Sequence, residues 1–190
     1  MEVAMAELAR TFVSFSSADK GRYDLMTAWK ANENIDFNFK DFQLDEAINS
    51  QNPNYIKAVC RAKVRRVDTF VLLIGNDTYT KTEFVKDEVD VAIEKGCRLI
   101  GVNLNNCRFK DWLCPWFFAD KGAIFVPLSS RILATALAWT KPVRNPALSD
   151  DWSYPDQTYI SLGYQLVGNT AILPPPPSPF ASGDKPWWAG

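Results

Sequence analysis

Residues 69–74 (TFVLLI) form an uninterrupted apolar run, closed by Gly75-Asn76-Asp77. A strand with one wet face alternates apolar and polar side chains. One with no alternation is buried on both faces, as in the middle of a parallel sheet. Such a strand needs helices above and below it, and the flanking residues supply them. Tyr23, Met26 and Trp29 recur at helical spacing after a short β-type run at residues 11–16 (TFVSFS). Ile56, Val59, Cys60, Val64 and Val67 mark a second amphipathic helix. A third, over about residues 82–95, stops at Gly96, a C-terminal signal.

The remaining strands follow the same logic. Ile35, Phe37 and Phe39 alternate with Asp36, Asn38 and Lys40, the pattern of a half-exposed strand near a sheet edge. Residues 98–104 (RLIGVNL) and 123–126 are further apolar runs, and Ser129 or Ser130 is placed to cap a helix lined by Ile132, Leu133, Ala136 and Leu137. Alternation of strand and helix over residues 9–141 predicts a parallel sheet flanked by helices on both faces. Five strands favour the flavodoxin-like order 2-1-3-4-5. Residues 142–190 read as a separate, proline- and tryptophan-rich extension. Within it, residues 158–162 and 164–173 are predicted to form a small hairpin turning at Gly168-Asn169. A polyproline-like tail follows, starting at Pro174.

Composition narrows the chemistry. The chain has 190 residues, 21 basic and 22 acidic, and no histidine. Balanced charge gives no electrostatic case for nucleic acid. Without histidine there is no His-based triad, and the commonest transition-metal ligand is missing. Cys60, Cys97, Cys107 and Cys114 form no C-x-x-C pair and read as buried free thiols rather than a metal or redox centre. No secretory signal and no membrane-spanning run is seen, so the expectation is a soluble cytoplasmic protein. Lys57, Arg61, Lys63, Arg65 and Arg66 line one face of the second helix. That face is either simply solvated or attracts an anionic substrate.

In a doubly wound sheet, ligands bind beyond the carboxyl ends of the strands where strand order reverses. The predicted lining is Phe15, Ser16 and Ser17 after the first strand and Gly75, Asn76 and Asp77 after the third, with Asp41 and Phe42 overhanging. Neither a G-x-G-x-x-G fingerprint nor a phosphate-binding G-x-x-x-x-G-K-[ST] loop is present. The first loop lacks flavodoxin's glycines. A receiver's pattern is missing too: Gly75 follows the third strand where an Asp is needed, and Asp19 stands alone where a carboxylate pair is needed after the first.

One residue breaks the pattern. Phe84, Val85, Val89, Ala92 and Ile93 define the apolar stripe of the third helix, and Glu88 falls inside it. A carboxylate on an inward stripe at the binding edge either meets a backbone donor or a nearby cation, or has a chemical task.

The segment TFVLLIGNDTYTKTEFVKDEVDVAIEKGCRLIGVNLN resembles the TIR-like domains of the Thoeris ThsB family. The shared pattern is an apolar strand ending Leu-Ile-Gly, a Thr-Tyr turn at Tyr79, an aromatic-Val-x-x-Glu helix and an Ile-Gly-Val strand. RTFVSFSSAD, FNFKDFQ and the helix start at Tyr55 fit more loosely. The resemblance implies that Glu88 is catalytic, with Phe84 where many TIR domains carry tryptophan. It implies cleavage of the nicotinamide–ribose bond of NAD+, used as substrate with no cofactor. The ADP-ribose part would become a cyclic or conjugated signal nucleotide that activates an antiphage effector, and copies of the chain would assemble with one another. Phe15 and Phe42 are then candidates to stack on a base, and Ser16, Ser17 and Asn76 to hold ribose or phosphate; Asp41, Tyr79 and Phe84 complete the expected substrate contacts. TIR domains also serve as non-catalytic interaction modules. Nucleoside deoxyribosyltransferases share a flavodoxin-like sheet and a catalytic glutamate. Both readings stay open on sequence alone.

Overall fold

The computed structural model describes residues 8–42, 52–138 and 150–174. The apolar run is β3 (Thr69–Ile74), buried at every position. It pairs in parallel with β1 (Arg10–Ser14) on one side and β4 (Arg98–Asn103) on the other. Beyond them lie β2 (Lys40–Asp41), β5 (Ile124–Pro127) and β6 (Trp152–Ser153), also parallel. The order β2-β1-β3-β4-β5-β6 contains the predicted 2-1-3-4-5 arrangement and adds a sixth strand.

Successive side chains of a strand point to opposite faces, and β3 shows what each face needs. Phe70, Leu72 and Ile74 join Val64 of α2 (Pro53–Val64) and Val85, Val89 and Ala92 of α3 (Val85–Lys95). Val71 and Leu73 join Met26 of α1 (Lys20–Ala31) and Ile132, Leu133 and Ala136 of α4 (Ser130–Ala138). Each such side chain contributes roughly 1.5–3 kcal/mol when fully buried, so a polar residue anywhere from Phe70 to Ile74 would cost one face its packing. Gly96, at φ 80°, ends α3 in the left-handed conformation that its missing Cβ permits.

Two predicted elements differ. The alternating run at residues 35–40 is not one strand, because pairing begins only at Lys40. Phe37 and Phe39 are nevertheless buried, packed edge to face on each other, with Trp29 of α1 against Phe37. Their alternation records burial beside the sheet without membership of it. Residues 158–162 are also not a hairpin arm. Pro155 has the extended backbone of a helix N-cap, and α5 (Asp156–Ser161) follows before Gly163 at φ 84° turns the chain. The hairpin is β7 (Gln165–Val167) with β8 (Thr170–Ile172), turning at Gly168-Asn169. Residues 139–149 and the tail from residue 175 lie outside the described residues.

Residues 150–174 are fastened to the sheet by charge as well as by β6. The Asp151 carboxylate accepts from the backbone N–H groups of Asp120 (2.7 Å), Lys121 (3.2 Å) and Ala123 (3.0 Å), and pairs with Lys110 at 3.0 Å. Arg108 is 4% exposed; its guanidinium donates to Asp156 and to the Gly168 carbonyl and lies over Phe109 and Tyr159. Arg108→Ala is expected to lower stability by about 2 kcal/mol, through lost packing and hydrogen bonds rather than a stranded charge, since Asp156 keeps its water. Faster amide exchange in β7 and β8 than elsewhere would locate that loss. Among the described residues, no helix is long and apolar enough to cross a membrane.

Candidate active site

Helices in this architecture start at the carboxyl edge of the sheet. The chain leaves β3 through Gly75, whose N–H donates to the Thr78 hydroxyl at 2.9 Å, and a single 3₁₀ turn (Thr78–Thr80) delivers it to α3. Glu88 therefore falls in the first turn of α3, where the helix dipole favours a carboxylate. Ser14 is the last residue of β1, on the same face of the sheet as Phe12, and its hydroxyl donates to Glu88 Oε2 at 2.6 Å. The Cys60 thiol of α2 lies close enough to that carboxyl for the two groups to influence each other's ionisation. Three elements thus converge on one acid group.

Electrostatics set its state. Burial is the largest influence on Glu88 and raises its pKa to about 7; Ser14 and Cys60 pull it back, and the charge of Asp87 adds to the rise. Asp87 itself is held below the usual carboxylate range, chiefly by hydrogen bonds from Arg61, which grips it through two nitrogens. Burial, then Glu88, pushes the Cys60 thiol up to about 12, so it is neutral at physiological pH. A carboxyl balanced near neutrality beside a binding edge is a recurrent feature of catalytic sites.

One turn nearer the edge, Phe84 occupies the N-cap position of α3, with Lys57 Nζ 5.5 Å from its ring centroid and Glu83 3.4 Å from the same ammonium. The cationic face of α2 is thereby partly committed: Lys57 and Arg61 reach α3, and Arg66 lies 5.7 Å from the Phe42 ring. Phe84 is only half-buried and stands outside the core. Phe84→Ala is accordingly expected to cost about 1–2 kcal/mol, not the ~3–5 kcal/mol of a fully buried ring, as read from the denaturant midpoint.

The other predicted site residues divide between places. Phe15 follows Ser14 and so faces the opposite side of the sheet, stacked on Tyr23 at 5.0 Å; the Tyr23 hydroxyl donates to Asp41 at 2.7 Å. Phe42 packs against the same core as Glu88. Ser16 is buried and donates to Asp77 at 2.8 Å, while Ser17, Asn76 and Tyr79 are exposed at the rim. Asp19, the lone carboxylate after β1, has a neighbour from the loop after β3. Its carboxylate lies against Gly75, where a Cβ would be 2.6 Å from Oδ1, and burial and then the nearby Asp77 raise its pKa. Asp77 is held low despite its own burial, by Ser16 and Lys81. Ser14 and Cys60 lie beside Glu88 although the sequence pattern does not single them out for the site, and Lys57 is one of the five cations on the face of α2. Ser14 shares the strand parity of Phe12, and Cys60 shares the stripe of α2 that faces the stripe holding Glu88.

Residues 12–108 match the family described as Thoeris protein ThsB, TIR-like domain. The chain belongs to that family. The ThsB-like segment runs from β1 to Arg108 and so contains every residue just described, from Ser14 to Glu88; β5, α4 and residues 150–174 lie beyond it. No curated protein sequence matches this ThsB-like chain. Among solved structures it is similar to the CMP N-glycosidase BcmB of Clostridium botulinum, with TM-score 0.42 and 10% identity over 66% of this chain and 93% of that one.

Proposed function

We propose that this ThsB-like chain is an enzyme that cleaves the nicotinamide–ribose bond of NAD+ and turns the ADP-ribose part into a cyclic or conjugated signal nucleotide. The supporting observation is the Glu88 carboxyl, largely withdrawn from water yet hydrogen-bonded by Ser14 at the start of α3. In the reaction, the bond between ribose C1′ and the pyridinium nitrogen breaks and its electron pair leaves with nicotinamide. The leaving group departs neutral, so acid catalysis is not needed. Positive charge moves onto the ribose as an oxocarbenium-like species, and an ionised Glu88 beside it lowers that barrier electrostatically. The acceptor, a nucleophilic atom of the nucleotide itself for a cyclic product or of a small acceptor molecule for a conjugated one, then bonds to C1′ and releases a proton. The cationic nicotinamide ring of the bound substrate favours the ionised form of a carboxyl poised near pH 7.

Phe84 is placed to pack on the substrate above Glu88, and Lys57 to meet its phosphates. Phe15, Phe42, Ser16, Ser17, Asp41, Asn76 and Tyr79 remain proposed contacts, on two faces of the edge. The product would act on a separate effector protein in antiphage defence. Small-molecule extracts of phage-infected cells carrying the parent chain should contain an ADP-ribose-derived nucleotide by mass spectrometry, missing from cells carrying Glu88→Gln. Identical extracts would leave the interaction-module reading in its place.

A further inference from the structure

We infer that Ser14 is a positioning residue for Glu88, fixing its carboxyl from β1 so that it meets the ribose in one orientation, with Cys60 as its neighbour on α2. The inference rests on the catalytic reading of Glu88. Ser14 is 1% exposed, on a strand paired on both sides, and its 2.6 Å bond to Oε2 has the length of a charge-assisted contact. Cys60 is 6% exposed. Its neighbour in sequence, Arg61, grips Asp87, the neighbour of Glu88, so the thiol and the carboxyl cannot drift apart without breaking the ion pair next to them. The groups around the carboxyl are then accounted for. β1 supplies the Ser14 hydroxyl, α2 supplies the neutral Cys60 thiol with Lys57 one turn above, and α3 supplies Asp87, already engaged by Arg61.

The Ser14 hydroxyl favours the ionised carboxyl over the protonated one, and the Cys60 thiol acts in the same direction. Removing either therefore raises the pH at which Glu88 ionises, and removing Ser14 also frees the carboxyl to rotate. A serine or cysteine that only filled space would do neither.

The test uses the full chain and the variants Ser14→Ala, Ser14→Thr, Cys60→Ala and Cys60→Ser, each checked for fold by circular dichroism. The Glu88 carboxyl is titrated by carbon-13 NMR in the free protein, its signal assigned by its loss in Glu88→Gln. Nicotinamide release from NAD+ is measured against pH in parallel. Ser14→Ala is expected to move the titration upward by about one pH unit and to lower kcat about tenfold at pH 7 with KM little changed. Cys60→Ala should do the same to a smaller degree, and Ser14→Thr and Cys60→Ser should restore both readouts. An unmoved titration in folded Ser14→Ala, or in Cys60→Ala should the former not fold, overturns the inference. The titration needs no turnover, so a failure of the NAD+ reading shows instead as absent Glu88-dependent release with the titration shifts intact.

Discussion

Glu88→Gln is expected to release nicotinamide from NAD+ about a thousandfold more slowly than the parent, in a protein whose fold is unchanged. The substitution keeps the shape of the side chain, and its amide oxygen can still accept the Ser14 hydroxyl, so the contact between β1 and α3 is preserved. It removes the negative charge. In a site screened from water, one preorganised electrostatic group facing the developing charge contributes roughly 10²–10³ in rate. Here the carboxylate is the group assigned to the oxocarbenium, so the loss should fall at the upper end and appear in kcat. Chromatographic assay of nicotinamide from equal amounts of both proteins reads the effect. A Glu88→Gln protein within tenfold of the parent would mean the charge has no part in the chemistry.

The same substitution should make the protein more stable, and the gain should depend on pH. Glu88 ionises near its ordinary value of 4.5 in the unfolded chain but only near 7 when folded, chiefly because of burial. Below about pH 4.5 both states carry the proton and the difference contributes nothing. Between the two values the unfolded chain sheds its proton while the folded one keeps it, so ionisation draws the equilibrium toward unfolding. Above 7 both are ionised and the penalty has reached its full size, about 3 kcal/mol for a shift of this order. Glu88→Gln never incurs it. Its denaturation midpoint should match the parent near pH 4 and exceed it by an amount that grows to pH 8, worth about 5–10 °C in Tm for a chain of this size. A variant less stable than the parent at pH 8 would show that the carboxylate is stabilised where it lies.

A charged group kept at a cost in stability stands out in the sequence for the same physical reason. Glu88 breaks the stripe formed by Val85, Val89 and Ala92, and an exception to periodicity can be read from one element alone. The core of the sheet is legible on similar grounds: β3 is apolar without interruption only because both its faces are covered. The sixth strand is not legible. Trp152–Ser153 is two residues long, too short for any period, and joins the sheet only through its partner β5. Ser14 and Cys60 escape a reading of the sequence as site residues because their role lies between elements. Each fits its own strand or helix without exception, and only the packing of α2 and α3 over β1 brings them to one carboxyl. Phe15 shows the converse, since its adjacency to Ser14 in an extended strand already dictates opposite faces. Grouping every residue near the edge into one lining overlooks that parity.

The most direct test of the account is incubation of the purified full chain, parent and Glu88→Gln side by side, with NAD+ and with a panel of free nucleosides and deoxynucleosides. Mass spectrometry follows every species. The account predicts nicotinamide and an ADP-ribose-type product from NAD+ with the parent, neither with Glu88→Gln, and an untouched nucleoside panel. Glycosidic cleavage of the nucleosides with NAD+ intact, or equal NAD+ cleavage by both proteins, would contradict it.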